Sequence, residues 1–206
     1  MDSFQLKILA CIFMFVDHVS FILLNNNIFG RIVGRLAFPI FAYLIATNFS
    51  RTSNKEKYFI RLLIFAFLSQ LPFHFLIHGL NIFFTLCLGF LCCYYWQEGF
   101  EKLFNLLCFS FVLLLSFFLH VDYGFYGVAL VFLFYIFRNS FLKQFISLLI
   151  LDIIFYVYMP LEMFGILAFI PLYFYNNRKG KSLKYVFYVF YPIHLFLIFL
   201  VFRFFK

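Results

Sequence analysis

Long apolar stretches alternate with short polar ones along the whole chain. Most of these stretches approach the roughly 20 residues that a helix needs to cross the hydrocarbon core of a bilayer. They are continuously apolar and lack the alternation typical of barrel strands, so the pattern predicts transmembrane helices. About nine spans are expected from this length criterion, at residues 7–24, 32–49, 58–77, 81–96, 103–119, 123–137, 142–158, 163–176 and 185–205.

Composition supports this prediction. The chain has 206 residues, of which 66% are apolar, 39 are Phe and only 12% are charged. A soluble domain of this length needs a polar face on each helix, and these residues are too few to supply one. Lys7 and the apolar run after it resemble a signal peptide, but Asp17 and His18 interrupt the run and no small-residue cleavage site follows. The sequence therefore predicts an all-α, polytopic transmembrane bundle that retains its first helix.

The five cysteines lie within apolar spans and lack the spacing of metal ligands. Such cysteines behave as small hydrophobic side chains, so we expect buried thiols. Neither a disulfide framework nor a metal site is expected from them.

Basic residues predict the orientation. With the N-terminus on the cytoplasmic side, 12 of the 16 Lys and Arg residues fall on inner segments, while Arg31, Arg35, Arg203 and Lys206 fall on the outer side. This bias favours a cytoplasmic N-terminus and an outer C-terminus. Topology and contacts with lipid headgroups also explain the net charge of +8 better than nucleic acid does.

Ionisable side chains within the spans are the candidates for function, because each costs a few kcal/mol to place in a membrane. Helix geometry and proximity to span ends put most of them in the outer half of the protein, which predicts one shared, outward-open pocket. The ionisable candidates are Asp17, His18, Arg35, His74, Asp152 and His194, and their polar neighbours are Arg31, Gln70, Asn81, Thr85 and Tyr191.

Two arrangements of Asp17 are compatible with the sequence. In one, Asp17 pairs with Arg35 while His18 faces the pocket; in the other, Asp17 orients His74 or His194. The Asp17–Arg35 pair alone would also serve as a structural clamp between helices. His18 has no evident structural use, and a histidine suits proton transfer near neutral pH.

Several further residues have two interpretations each. Tyr191 and His194 flank Pro192, which removes a helix hydrogen bond and would let either side chain turn toward a ligand, although a kinked helix explains the motif equally well. Two outer-loop acids, Asp122 and Glu162, would attract a cationic amine. The inner basic residues either set the topology alone or bind a phosphate-rich donor such as coenzyme A; they include Arg51, Lys55, Arg178 and Lys179.

At these positions the chain resembles the TraX family, in matching order over most of its length. The combination of Val-Asp-His with Gly-Arg-Leu-Ala-Phe-Pro is the most specific part of the resemblance. The matching segments are residues 6–18, 31–42, 61–73, 80–86, 123–128, 175–180 and 191–195.

The resemblance implies one integral membrane domain over residues 1–206, in the cytoplasmic (inner) membrane of a bacterium. It implies an N-acetyltransferase that uses acetyl-CoA as co-substrate, without a metal, and acts on an exported peptide, a pilin or another amine acceptor. His18 is implied as the catalytic base, and Asp17, Arg31, Arg35, His74, Asn81 and His194 as its surroundings. Two functions of other classes remain open: a transporter or flippase, which moves its substrate unchanged, and an assembly factor, which would tolerate replacement of His18.

Overall fold

The computed structural model describes residues 1–98, 101–181 and 184–205. Within these ranges the chain forms helices and loops, with one isolated bridge between Leu80 and Val121, which confirms the predicted all-α class. The helices are α1 (Ser3–Ile22), α2 (Ile28–Gly34), α3 (Ala37–Arg51), α4 (Lys55–His74), α5 (Ile82–Gln97), α6 (Lys102–Phe118), α7 (Gly124–Ile136), α8 (Phe141–Phe155), a 3₁₀ helix (Pro160–Ala168), α9 (Phe169–Tyr173) and α10 (Lys184–Phe205).

Short polar side chains fix where several helices begin. Asp2 forms a capping box with Gln5, in which each side chain bonds the other's backbone N–H, at 2.9 and 3.0 Å. Asn27, Asn54 and Asn81 cap α2, α4 and α5 by accepting a backbone N–H from the first turn. These caps satisfy donors that a helix start leaves unpaired, and they explain why the apolar runs become helical at these residues.

The membrane character of the chain appears in both helix length and surface. Three helical stretches in the described part of the chain are long and apolar enough to cross a membrane, namely Ser3–Ile22, Ile28–Arg51 and Tyr185–Phe204. Large apolar side chains also face outward, for example Leu103, Phe111 and Phe118 on α6. A lipid environment removes the cost of exposing them. The count of nine spans and the cytoplasmic N-terminus stay predictions.

Two predicted spans are interrupted. The second, 32–49, is divided between α2 and α3 at Arg35 and Leu36, because Pro39 has no N–H to donate to the Arg35 carbonyl. The eighth, 163–176, begins earlier than predicted as a 3₁₀ helix of nine residues, which α9 continues. A 3₁₀ helix of this length is uncommon, because its hydrogen bonds have poorer geometry than those of an α-helix.

The chain forms two compact units, and the polar network described below belongs to the first. Unit 1 consists of Met1–Phe41 and Leu148–Lys206, and in it α1 packs against α2 and α10 while the 3₁₀ helix packs against α2 and α9. Unit 2 consists of Ala42–Ser147, and in it α5 packs against α4, α6 and α7.

Aromatic side chains build the core of unit 2. The Phe90 ring meets the rings of Phe49 and Tyr58 edge to face, with centroids 4.8 and 5.4 Å apart. Gly89 lets α5 approach α7 closely, because a Cβ there would overlap the Val131 side chain. Four of the five cysteines are buried and all five are free, so the predicted packing role of the thiols is confirmed for Cys11, Cys87, Cys92 and Cys93.

Candidate active site

Two glycines bring α2 against the C-terminal end of α1. Gly30 and Gly34 lie four residues apart, so both face the same neighbouring helix. A Cβ at Gly30 would overlap the hydroxyl of Ser20, and a Cβ at Gly34 would overlap the carboxylate of Asp17. The spacing is the small-xxx-small pattern of close helix packing in membranes. The sequence analysis did not identify this pattern, although the chain contains Gly-Arg-Ile-Val-Gly.

This close packing gives Asp17 two arginine partners. Arg35 Nη2 donates to both carboxylate oxygens of Asp17 at 2.6 Å, and Arg31 Nη1 donates to Oδ2 at 2.7 Å. Asp17 and Arg35 are buried. The predicted Asp17–Arg35 pair is therefore confirmed, and Arg31 joins it from one turn earlier on α2.

Glu162 extends the network from the 3₁₀ helix. Its Oε1 accepts a hydrogen bond from Arg35 Nη1 at 2.5 Å, and only 2% of the residue is exposed. The sequence analysis placed Glu162 in an outer loop, whereas in the structure it lies in the 3₁₀ helix, which packs against α2, and its side chain is buried. The positive charges of two guanidinium groups and the negative charges of two carboxylates thus compensate one another, which lowers the free-energy cost of burying them.

His18 is paired with His194 and not with an acid. His18 Nδ1 lies 2.8 Å from His194 Nε2, and the two rings stack with centroids 5.1 Å apart. The alternative in which Asp17 orients His194 is therefore wrong. Because Asp17 and His18 are adjacent on α1, their side chains point about 100° apart, so Asp17 binds α2 while His18 contacts α10.

The hydrogen bonds of the pair define the tautomers of both neutral rings. His194 Nδ1 lies 2.9 Å from the Phe190 carbonyl, which only accepts, so Nδ1 carries the proton. His194 Nε2 is then an acceptor, and His18 Nδ1 must donate to it. The one ring nitrogen of the two histidines whose lone pair is not used is His18 Nε2, which makes no hydrogen bond within the three described ranges. The geometry thus leaves an unprotonated ring nitrogen with a lone pair at His18.

Tyr191 lies beside both histidines. Its ring meets those of His18 and His194 edge to face, with centroids 6.1 and 5.4 Å apart, and 2% of it is exposed. Helix α10 continues through Pro192, and Tyr191 and His194 are both buried in unit 1. Of the predicted site residues, the structure brings together Asp17, His18, Arg31, Arg35, Tyr191 and His194.

Asn81 and His74 belong to unit 2. Asn81 is fully buried, donates to the Ala66 carbonyl at 2.7 Å and to Gln70 at 2.8 Å, and accepts from the Phe83 N–H at 3.0 Å. Capping α5 and joining it to α4 accounts for this burial. His74 is the last residue of α4 and is exposed. The involvement of His74 and Asn81 in binding or catalysis stays a prediction.

The predicted donor-binding residues are divided between the units. Arg178 and Lys179 are exposed in a turn of unit 1, while Arg51 and Lys55 lie at the α3–α4 connection in unit 2. The start of α1 docks on that turn: the Met1 ammonium donates to the Phe174 carbonyl at 2.5 Å, and the Ser3 N–H donates to the Arg178 carbonyl at 2.8 Å. The N-terminus and the basic turn therefore share one end of unit 1, as the predicted topology requires. Lys206, assigned to the outer side, lies outside the described residues.

The opposite end of α1 carries the polar network. His18 lies 15 residues after Ser3, roughly 22 Å along the helix, and one turn before its end at Ile22.

The model of the family described as TraX protein matches residues 3–202 of the chain. The chain belongs to the TraX family.

One curated relative is a probable fimbrial assembly protein, FimC of serogroup H1, from Dichelobacter nodosus. It is 35% identical over 77 residues, which cover 35% of this TraX chain and 31% of the relative. The match thus spans about a third of that relative's length. No solved structure matches this chain.

Proposed function

We propose that this TraX protein is a membrane acetyltransferase that moves an acetyl group from cytoplasmic acetyl-CoA to an amine on an exported peptide or pilin. The observation that carries the proposal is the lone pair on His18 Nε2, which the hydrogen bonds from the Phe190 carbonyl through His194 leave in place. Family membership and the fimbrial assembly name of the partial relative support a pilus subunit as the acceptor.

In this mechanism the thioester of the donor reaches His18 from the cytoplasmic side. His18 Nε2 removes a proton as the acceptor nitrogen attacks the thioester carbonyl, the N–C bond forms and the C–S bond breaks. The proton then passes to the departing sulfur of coenzyme A. Both direct transfer and a transient acetyl group on His18 fit a ring nitrogen with a lone pair at this position.

Arg35 is proposed to be a positioning residue. Its Nη1 and Nη2 both donate to carboxylates, so it acts by holding Asp17 and Glu162 together rather than as an isolated cation facing substrate. Arg178 and Lys179 of unit 1 are proposed to bind phosphate groups of the donor, because exposed cations favour such groups. A role of Arg51 and Lys55 in donor binding stays a prediction.

The decisive experiment is a thiol-release assay. Purified wild-type protein is incubated with labelled acetyl-CoA and a peptide carrying a free N-terminal amine, and released coenzyme A and acetylated peptide are measured. We expect both products from the wild type. The His18→Ala variant should lose at least about 100-fold in rate, since a positioned proton acceptor contributes about 10²–10⁴-fold.

His78→Ala is the matched control, because His78 is an exposed histidine of unit 2. It should keep wild-type activity. A wild type that releases no thiol but moves an amine or lipid across vesicles unchanged would favour the transporter alternative. Full activity in His18→Ala would remove His18 from the mechanism.

A further inference from the structure

One oxygen of Glu162 is buried without a hydrogen bond. Oε1 accepts from Arg35, while Oε2 has no hydrogen-bond partner among residues 1–98, 101–181 and 184–205. Leaving a buried polar atom unsatisfied costs about 1–3 kcal/mol, and more for a charged group. Such an atom in a native structure calls for a specific explanation.

Asp17 shows the contrast within the same network. Its Oδ1 accepts from Arg35, and its Oδ2 accepts from Arg31 and Arg35. Both oxygens of Asp17 are therefore occupied by α2. Of the two carboxylates that bind Arg35, Glu162 is the one with an oxygen left for another partner.

Glu162 is connected through Arg35 to the helix that carries the proposed base. Arg35 links it directly to Asp17, and Asp17 is the residue before His18 on α1. The element that carries Glu162 is the nine-residue 3₁₀ helix packed on α2. Long 3₁₀ segments are uncommon, because their hydrogen bonds have poorer geometry than those of an α-helix.

The chemistry of the proposed reaction requires a second proton acceptor. A cationic amine loses two protons when it becomes an amide, because its nitrogen begins with three hydrogens and ends with one. His18 Nε2 takes one of these protons and returns it to the sulfur of coenzyme A. The other proton must leave before the nitrogen has a lone pair with which to attack.

We propose that Glu162 Oε2 binds the ammonium group of the acceptor and takes this first proton, an inference that rests on the proposed acetyl transfer. The ammonium becomes a neutral amine, Glu162 becomes a neutral carboxylic acid, and the proton is later released to the outer side. The neutral amine then attacks the thioester, with its second proton passing to His18. The substrate class is accordingly a basic primary amine, such as a peptide N-terminus, rather than a hydroxyl group.

The test compares two acceptors in the Glu162→Gln variant. Gln keeps an oxygen that accepts from Arg35 but replaces the free oxygen with an amide that does not take a proton. A peptide α-amine with a pKa of about 7.7–8.0 is roughly 10% neutral at pH 7. A variant that must use this neutral fraction should lose about tenfold in kcat/KM for the peptide.

The second acceptor is a hydrazide of similar size, whose weakly basic nitrogen is already neutral at pH 7. Its kcat/KM should stay within about threefold of the wild-type value, because it needs no first proton acceptor. Activity with the hydrazide also demonstrates that the variant is folded. Glu98→Gln, which changes an exposed acid after α5, is the control and should leave both acceptors unaffected.

Each outcome has a distinct meaning. An equal loss with both acceptors would show that Glu162 only supports the fold, and no loss with either would show that its free oxygen is unused; either result overturns the inference. If the wild type releases thiol with neither acceptor, the acetyltransferase proposal itself fails. A tenfold loss confined to the peptide amine supports Glu162 as the amine-binding residue.

Discussion

At the scale of single residues, adjacent positions on one helix perform separate tasks. Asp17 compensates the charge of two arginines from α2, while His18 reaches α10 and pairs with His194. In the proposed mechanism, a second histidine would orient His18 through its Nδ1–H, as an acid orients the histidine of a serine protease triad. A neutral partner avoids burying one more charge in a membrane protein.

The first prediction concerns His194. His194→Ala removes the acceptor of the His18 Nδ1–H, so His18 loses its fixed tautomer. We expect acetyl transfer to fall by about 10²–10⁴-fold, in the range seen when a base loses its orienting partner. His194→Gln keeps an acceptor oxygen and should recover part of the rate in the same thiol-release assay. If His194→Ala and wild type transfer acetyl equally fast, the proposed tautomer has no catalytic importance.

At the scale of elements, the site depends on how closely α2 approaches α1. The two glycines of α2 allow that approach, and the arginines between and after them reach across it. In lipid, the burial of apolar surface gives little driving force for helix association. Close van der Waals packing at small residues therefore contributes more there. The interruption of the helix after Gly34 belongs to the same arrangement, since Arg35 bonds Asp17 on α1 and Glu162 on the 3₁₀ helix.

The second prediction follows from this packing. Gly34→Ala places a Cβ against the Asp17 side chain and forces α2 away from α1. We expect a stability loss of about 1–3 kcal/mol, as for other overpacked sites, together with loss of acetyl transfer. Thermal unfolding in detergent measures the first effect. Val33→Ala, which shortens an exposed side chain of α2, should leave the unfolding temperature nearly unchanged; an equally stable Gly34→Ala would contradict the packing argument.

At the scale of the whole molecule, the distribution of charge predicts which side each loop occupies. The docking of Met1 and Ser3 on residues 174–178 agrees with placing both segments on one side. The polar network lies toward the other end of α1. In the proposed mechanism, donor and acceptor would approach His18 from opposite sides of the membrane, as transfer from a cytoplasmic donor to an exported acceptor needs.

The third prediction tests this topology. Single substitutions Ser53→Cys and His120→Cys place reactive thiols in exposed loops predicted to be inner and outer, respectively. A membrane-impermeant maleimide added to intact cells should label His120→Cys alone, because positive loops stay cytoplasmic. After cell lysis both variants should be labelled. Wild-type protein is the control for background, since four of its thiols are buried. The reverse labelling pattern would invert the assigned orientation.

Sequence alone determined the helical class, the approximate position of most helices and much of the candidate site. The helical class follows because unpaired backbone groups are too costly in lipid. The candidate residues follow because ionisable side chains are costly there as well and are therefore rare within spans. The pairing of Asp17 with Arg35 was also predictable, because opposite charges on neighbouring spans compensate each other's burial.

Only the tertiary structure decided the partner of His18 and the burial of Glu162. Both depend on contacts between segments more than 120 residues apart, 176 for the histidines and 127 for Arg35 and Glu162. Periodicity within one helix carries no information about which distant helix it faces. The spacing of Gly30 and Gly34 is present in the sequence, but its consequence, an acid held by two arginines next to a histidine that pairs with His194, required the packed helices.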